Sequence, residues 1–440
     1  MGMNSNIPIK STILVIVGIS GDLASRKLIP ALRKIEKAGI LPDEFRILGV
    51  TRRDLEISKL LKNNDRIKKY FEIFKMDLAD SKSYKTLKNK LDAIAENWGG
   101  KPQRLFYLSI PPHAVLPIVK NLGEAGLDKN GKLLLEKPFG IDLPSAQELI
   151  AGINKYFSED NTFRIDHYLA KEMTQNLVIF RRENSLFRRT WNRNFIERIQ
   201  IVASEKIGIE GRGAFYEQTG ALRDLVQSHL LQLAALITMR LPQGDDWASI
   251  PEARAKALER MKIKNNEKGL IAKRGQYKGY REEAMNEKST VETFASITLE
   301  SADPEWLDVP IEILTGKAMD QKTTEIRIFY RQDDTREANE IVLRVGDREG
   351  VSVCLWTKRP GYDHATEKHP LDFSYLSHYN ELPEAYERVF VDAMRGDHSL
   401  FASGAEVLAS WKILEPLRRH WENNADNLIV YEKGSRIESI

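Results

Sequence analysis

Cysteine is nearly missing from this chain of 440 residues: there is one, Cys354, set in the apolar run Val351 to Trp356. A single thiol closes no intramolecular disulfide and builds no cysteine metal cluster, which excludes stapled secreted folds and zinc modules and suits a reducing cytoplasm. Net charge is scarce as well, +3 from 66 basic and 63 acidic residues. The basic residues are scattered among the acidic ones, so no nucleic-acid surface is expected, although local cationic pockets stay open. Long apolar runs are also lacking. The first, Ile13 to Val17, is strand-length, against the roughly 20 residues that span a bilayer, and the N-terminus has no signal-peptide pattern. The protein is therefore expected to be cytoplasmic, with neither nucleic acid nor membrane as partner. What is present, 42% hydrophobic and 29% charged residues, suits a soluble globule of two or three domains.

A β-branched run Thr12 to Val17, a helical segment Leu28 to Ala38 and a second strand Arg46 to Val50 open an alternation that continues to about Gly140, the pattern of an α/β fold. From Ile196 the texture changes to strands separated by charged loops: Glu197 to Ala203, Thr293 to Leu299, Thr324 to Tyr330 and Ile341 to Val345. Helical patterns at Ala221 to Met239, Pro383 to Arg395 and Ala405 to Trp421 complete an α+β second half. The Lys-rich stretch Glu252 to Glu283 is expected to be a surface helix with a long loop. The boundary falls near residue 170, giving domains 1–170 and 171–440.

The first chemical motif, Gly18-Ile19-Ser20-Gly21-Asp22-Leu23-Ala24, sits directly after a strand and before a helix. A glycine-tight turn lets backbone N–H groups approach a pyrophosphate, and the helix N-terminus adds positive partial charge. Out of that context it would be an ordinary βα turn. Gly208 to Gly213 also follows a strand, but Ala214-Phe215-Tyr216 opens no obvious helix, and a loop is expected there. At the end of the second strand, Thr51-Arg52-Arg53 offers guanidinium groups where NAD-specific sites present an acidic residue to the ribose. That favours the 2′-phosphate of NADP, with NAD as the weaker alternative.

The segment Arg164 to Glu172 (RIDHYLAKE) crowds charged groups and an imidazole into nine residues. If it is helical from His167, then His167 and Lys171 share a face and offer two donors to a dianionic phosphate, with Tyr168 beside them. Taken singly, Asp166 reads as a helix cap and Lys171 as a surface residue. His229 lies three and four residues from Val226, Leu225 and Leu233, on the apolar face of its helix. It is either a core histidine or a base at a pocket wall, its pKa moved by burial and a carboxylate. Asp224, five residues back and about 140° round an α-helix, is badly placed to orient it. Asp166 is the better candidate.

With these motifs in hand, the chain resembles the glucose-6-phosphate dehydrogenases from about residue 12 to 420. The resemblance rests on the turn at Gly18 to Ala24, on Glu136-Lys137-Pro138-Phe139-Gly140, on Arg164 to Glu172, on Gly208 to Gly213 and on Gln227 to Gln232. Arg274 to Tyr277, Thr315 to Lys317 and Glu384 to Arg388 follow in order. It implies an N-terminal Rossmann domain followed by a larger domain of sheet and helices. The implied activity is NADP-dependent oxidation of D-glucose 6-phosphate at C1 to 6-phospho-D-glucono-1,5-lactone, the first step of the oxidative pentose phosphate pathway. By the same resemblance His229 is the proton acceptor and Asp166 its carboxylate partner, and His167, Tyr168 and Lys171 grip the sugar phosphate. Lys137 touches substrate and cofactor, while Pro138 marks an interdomain hinge. Glu205, Asp224 and Lys317 bind sugar hydroxyls, with Lys322 as a second cation. Gly18, Ser20, Gly21, Asp22, Leu23 and Arg52 hold the cofactor. No metal is expected, since a cyclic hemiacetal needs only a base and alignment.

Some positions depart from the family pattern: Ile19 and Ala170 stand where a small residue and a glycine are usual, and Ser228 where asparagine is common. The short C-terminus argues against a second, structural nucleotide site. A broad sheet with an uncovered face points to a homodimer or homotetramer. Two other readings use the same residues. A dehydrogenase of unphosphorylated sugars also carries Glu-Lys-Pro, but the His167 and Lys171 pair argues against it. A catalytically silent NADP sensor is opposed by the retention of Asp166 and His229.

Overall fold

The computed structural model describes residues 8–61, 65–244, 246–267, 269–332, 337–346, 348–424 and 427–440. The chain divides into two compact units. The first comprises residues 1–170, 247–251 and 383–404, and the second comprises 171–246, 252–382 and 405–440. The helical pattern after Pro383 thus returns to the first unit.

Among its described residues the first unit carries a seven-stranded sheet. Strands β1 (Thr12–Val17), β2 (Phe45–Thr51), β3 (Phe71–Lys75), β4 (Gln103–Leu108), β5 (Gly131–Leu135) and β6 (Thr162–Ile165) run in the order 6-5-4-1-2-3. All these pairings are parallel, and the short strand Phe401–Ala402 adds antiparallel to β6. Every residue of β1 is buried, as expected of a parallel strand covered on both faces. This is the Rossmann order, in which a ligand sits beyond the carboxyl ends of the strands where the order reverses, here between β1 and β4. Helix Ile29–Lys37 buries Ile29, Ala31, Leu32 and Ile35. It shares one apolar cluster with Val389, Phe390, Ala393 and Met394 of helix Ala385–Arg395. That second helix starts at a reciprocal Glu384–Glu387 capping box and stops at left-handed Gly396.

The second unit carries a ten-stranded mixed sheet among its described residues. Its centre is β7 (Ile196–Ser204), parallel to Ile311–Gly316 and antiparallel to Thr323–Tyr330. The antiparallel strand Phe294–Ser301 alternates buried and half-buried positions, the mark of a sheet packed mainly on one face. Two expectations fail here. The stretch Glu252 to Glu283 is not a helix with a long loop: after helix Ile250–Glu259 it forms Met261–Ile263, Ala272–Tyr277 and a two-stranded ribbon. Residues after the Gly208 to Gly213 loop do form a helix, Gly213–Ala221, which buries Tyr216.

Candidate functional site

In the first unit the turn after β1 is shaped by Gly18, whose φ of +87° is open to glycine. A Cβ there would lie 2.2 Å from the Ser109 carbonyl oxygen. Gly18 N donates to Val50 O at 3.0 Å and Gly21 N to Gly18 O at 2.9 Å, closing the turn. Ile19 is buried, its side chain seated over Gly49 of β2, which accounts for a bulky residue in this turn. The Ser20 hydroxyl lies 3.5 Å from that of Thr51, so exposed Arg52 leaves β2 beside the turn. Asp22 pairs with Arg26 at 2.9 Å on the surface, and Leu23 packs on the unit's apolar cluster. Small residues, a following helix start and an adjacent guanidinium fit a dinucleotide's phosphates.

At the end of β5, Glu136 accepts hydrogen bonds from the hydroxyls of Tyr107 and Tyr386, the latter at 3.2 Å. Burial pushes its carboxyl up, against the pull of those tyrosines and of Lys137; the charge of Asp166 adds to the push. Lys137 precedes a cis peptide to Pro138. Asp166 follows β6, is 3% exposed, and accepts from Tyr168 N at 2.9 Å. The rings of His167 and Tyr168 meet edge to face at 5.0 Å.

One premise of the phosphate grip is overturned. Residues 166–170 form a turn, and the helix begins only at Glu172, with Lys171 extended at its N-cap. His167 and Lys171 therefore do not share a helix face. Asp166 closes a turn rather than capping a helix. Lys171 belongs to the second unit, where its Nζ donates to Val345 O at 2.9 Å. Glu349 accepts the Met173 N–H at the start of the same helix.

In the second unit three predicted residues come together. Glu205 follows β7 and Lys317 follows the neighbouring parallel strand, whose Gly316 is in register with Ser204. Glu205 N donates to Gly316 O at 2.9 Å. Lys317 Nζ pairs with the Glu205 carboxylate and lies 3.7 Å from Asp224 Oδ2. Its ammonium stands 5.0 Å from the centre of the Tyr216 ring, an arrangement in which ring and cation attract. Lys322 is exposed one residue before Thr323, which pairs with Ser204, so it sits at the same end of the sheet. Tyr216 was hidden from sequence reasoning by the expected loop. Burial first, then Asp224 and Glu292, hold its phenol well above the usual range.

His229, 1% exposed, lies on Leu222–Leu230, which winds as a π-helix before continuing as helix Leu231–Thr238. An i→i+5 winding brings residues five apart onto neighbouring positions. The 140° separation of Asp224 and His229, an α-helical figure, therefore does not hold. Asp224 also lies 3.7 Å from the Lys317 ammonium.

A Rossmann sheet with a glycine turn, joined to a sheet-built unit that clusters carboxylates around a lysine, defines a nicotinamide-dinucleotide oxidoreductase acting on a polar substrate. Residues 15–176 match the NAD binding domain of glucose-6-phosphate dehydrogenase, and residues 178–438 match its C-terminal domain. A glucose-6-phosphate 1-dehydrogenase of Chlamydia muridarum is 35% identical, the alignment covering 96% of this chain and 93% of that protein. A solved glucose-6-phosphate dehydrogenase in complex with its substrate glucose-6-phosphate superposes with a TM-score of 0.90 at 32% identity, covering 97% of this chain and 95% of the other. The glucose-6-phosphate 1-dehydrogenase of Mycobacterium avium superposes at 0.83, again at 32% identity, covering 97% and 94%. The chain belongs to the glucose-6-phosphate dehydrogenase family.

Proposed function

We propose that this chain oxidises glucose 6-phosphate at C1 with NADP as acceptor, His229 serving as the base. As a member of its family it is an oxidoreductase that acts on glucose 6-phosphate and binds a nicotinamide dinucleotide. The observation that carries the reading furthest is the Lys317 cluster: an ammonium held between Glu205 and Asp224 at the start of the helix that bears a buried histidine. Two carboxylates and one cation in a fixed array suit a ligand rich in hydroxyl groups, which both donate and accept.

In this reading Glu205, Asp224 and Lys317 orient the sugar ring, and His167, Tyr168, Lys171 and exposed Lys322 take its phosphate face. Asp166 fixes the imidazole of His229, which withdraws the C1 hydroxyl proton as the ring carbonyl forms. The dinucleotide, when bound, supplies the hydride acceptor. Gly18, Ser20, Gly21, Asp22 and Leu23 hold its phosphates, Arg52 selects the 2′-phosphate, and Lys137 reaches both ligands. Proton abstraction by a positioned base is worth about 10²- to 10⁴-fold in rate. The setting is the cytoplasm and the working form a homodimer or homotetramer, which sedimentation would measure.

Initial rates over NADP and NAD with glucose 6-phosphate, glucose and a second hexose 6-phosphate test the whole reading. The pairing of NADP with glucose 6-phosphate should be fastest. Equal kcat/KM on unphosphorylated glucose would overturn the substrate assignment, and equal kcat/KM with NAD the cofactor assignment.

A further inference from the structure

Gly220 interrupts the chain just before the His229 helix, with φ 60° and ψ 179°, a conformation essentially reserved for glycine. Its α-carbon is pressed against Glu292: a Cβ there would lie 2.4 Å from Glu292 Oε1 and 2.9 Å from Oε2. The purpose of this approach lies in the next two residues. Ala221 N donates to the Glu292 carbonyl at 2.9 Å, and Leu222 N donates to the Glu292 carboxylate at 2.9 Å. A carboxyl group just before a distant strand thus caps the helix that carries Asp224 and His229 by accepting a first-turn N–H, while burial pushes that carboxyl up.

The adjoining residue holds the other half of the cluster. Thr293 O accepts from Lys317 N at 2.9 Å. The Thr293 hydroxyl meets the Tyr431 hydroxyl at 2.8 Å, and that phenol lies 2.8 Å from Lys317 O, to which it donates. Two consecutive residues therefore pin both the backbone beneath Asp224 and the backbone beneath Lys317, whose side chains stand 3.7 Å apart. Glu292 itself points at the helix start rather than at the Lys317 ammonium, so its role is indirect.

We propose that Glu292 is a positioning residue for glucose 6-phosphate, setting the spacing of Asp224 and Lys317 by capping the His229 helix from the strand end that also anchors Lys317. The inference rests on the function proposed above and assigns a sugar-specific role to a residue that touches no substrate. Glutamine in its place keeps an acceptor oxygen for Leu222 N–H, whereas alanine removes it.

The test is steady-state kinetics of the full-length enzyme as Glu292→Ala, Glu292→Gln and Gly220→Ala. Glu292→Ala should lower kcat/KM for glucose 6-phosphate about tenfold as the spacing of Asp224 and Lys317 relaxes, while KM for NADP stays at its wild-type value. Glu292→Gln should recover most of that loss. Wild-type constants in Glu292→Ala would overturn the proposal, and so would an equal deficit for both substrates that glutamine fails to rescue. Should Glu292→Ala fold poorly, Gly220→Ala decides: it leaves the carboxyl in place but disturbs both the approach and a backbone conformation reserved for glycine, so it is read by the selectivity of the loss and not by its size. The same sugar-selective loss supports the proposal, and unchanged or unselective constants reject it. Wild-type enzyme inactive on glucose 6-phosphate would sink the functional reading and this inference with it; active wild type beside an unaltered Glu292→Ala sinks the inference alone.

Discussion

The helix that follows β1 and the helix that bears His229 begin with the same irregularity and different electrostatics. Both open as π-helix, at Ala24–Leu28 and at Leu222–Leu230. In the first unit the start emerges from a turn of glycine and serine, with exposed Arg52 alongside. On the proposed function that positive end would face a ligand's phosphate. In the second unit the start is answered by the chain's own carboxylate, Glu292, on Leu222 N–H. A helix terminus whose N–H is already satisfied by an internal carboxyl oxygen has little left to offer a phosphate. The comparison teaches a division of labour. On the proposed function, the glycine turn of the first unit would offer backbone N–H groups to the cofactor's phosphates, and the Lys317 cluster of the second would offer side-chain charge to the sugar's hydroxyl groups.

On that reading, substitutions in the Lys317 cluster and at Arg52 each report on one ligand. The largest effect is expected at His229. His229→Asn should cut kcat by about 10²- to 10⁴-fold with little change in KM for glucose 6-phosphate. Asp166→Asn should fall in the same direction, and the double variant should lose little beyond the larger single loss, as residues acting as a unit do. Near-normal turnover in His229→Asn would break the assignment. Next comes Lys317→Met, which leaves Glu205 and Asp224 facing each other without their cation. Losing a charged hydrogen-bond partner costs about 1.5–3 kcal/mol, so KM for the sugar should rise roughly 10- to 100-fold with KM for NADP unchanged. Some stability should be lost too, moderated because the two carboxylates are 34% and 24% exposed. A parallel rise in both KM values would erase the division. Arg52→Ala is the mirror case in the first unit: KM for NADP up by about tenfold from a lost charge-assisted bond, with NAD and sugar constants near wild type.

Legibility in the sequence followed burial. Strands β1 and β2 announce themselves because a parallel strand covered on both faces must be apolar throughout. Helix Gly213–Ala221 does not, because its buried positions include Gly213 and Gly220, which carry no apolar side chain to set a period. The strand Thr366–Ser374 escaped notice for the opposite reason. It contains Pro370, exposes most of its residues, and is strand only by pairing with Gly350–Lys358 at the sheet edge. Of the site, the glycine turn was readable from placement alone, and His229 as a buried histidine. Glu205 and Lys317 are far apart in sequence and meet through strand register, and Asp224 joins them from the π-helix, so spacing carried no signal and only family resemblance picked them out. Glu292 had neither. It sits in Val291-Glu292-Thr293, an ordinary strand start until Gly220 is seen against it.

The smallest expected effect compares a buried lysine, Lys317, with a half-buried one, Lys132. Lys317 has Glu205 and Asp224 for company, whereas Lys132 in the first unit donates to Ala393 O at 3.0 Å and lies 5.5 Å from the Phe163 ring centre. Burial, aided slightly by the charge of Lys10, brings its ammonium down from 10.5 to about 8. Between those two values the unfolded chain holds a proton at this position that the folded chain has released. Stability contributed by Lys132 therefore rises with pH across that window, its cost being full below about 8 and gone above 10.5. Melting midpoints of wild type and Lys132→Met, taken from pH 8 to 9.5 and below the range where tyrosines titrate, isolate the term. Wild type should gain on the variant by about a degree, since roughly 1 kcal/mol, discounted for the side chain's partial exposure, moves Tm by about 1 °C in a chain of this size. A constant gap across that range would mean that Lys132 keeps its proton there, and that a lysine held by a ring and a carbonyl loses nothing to burial.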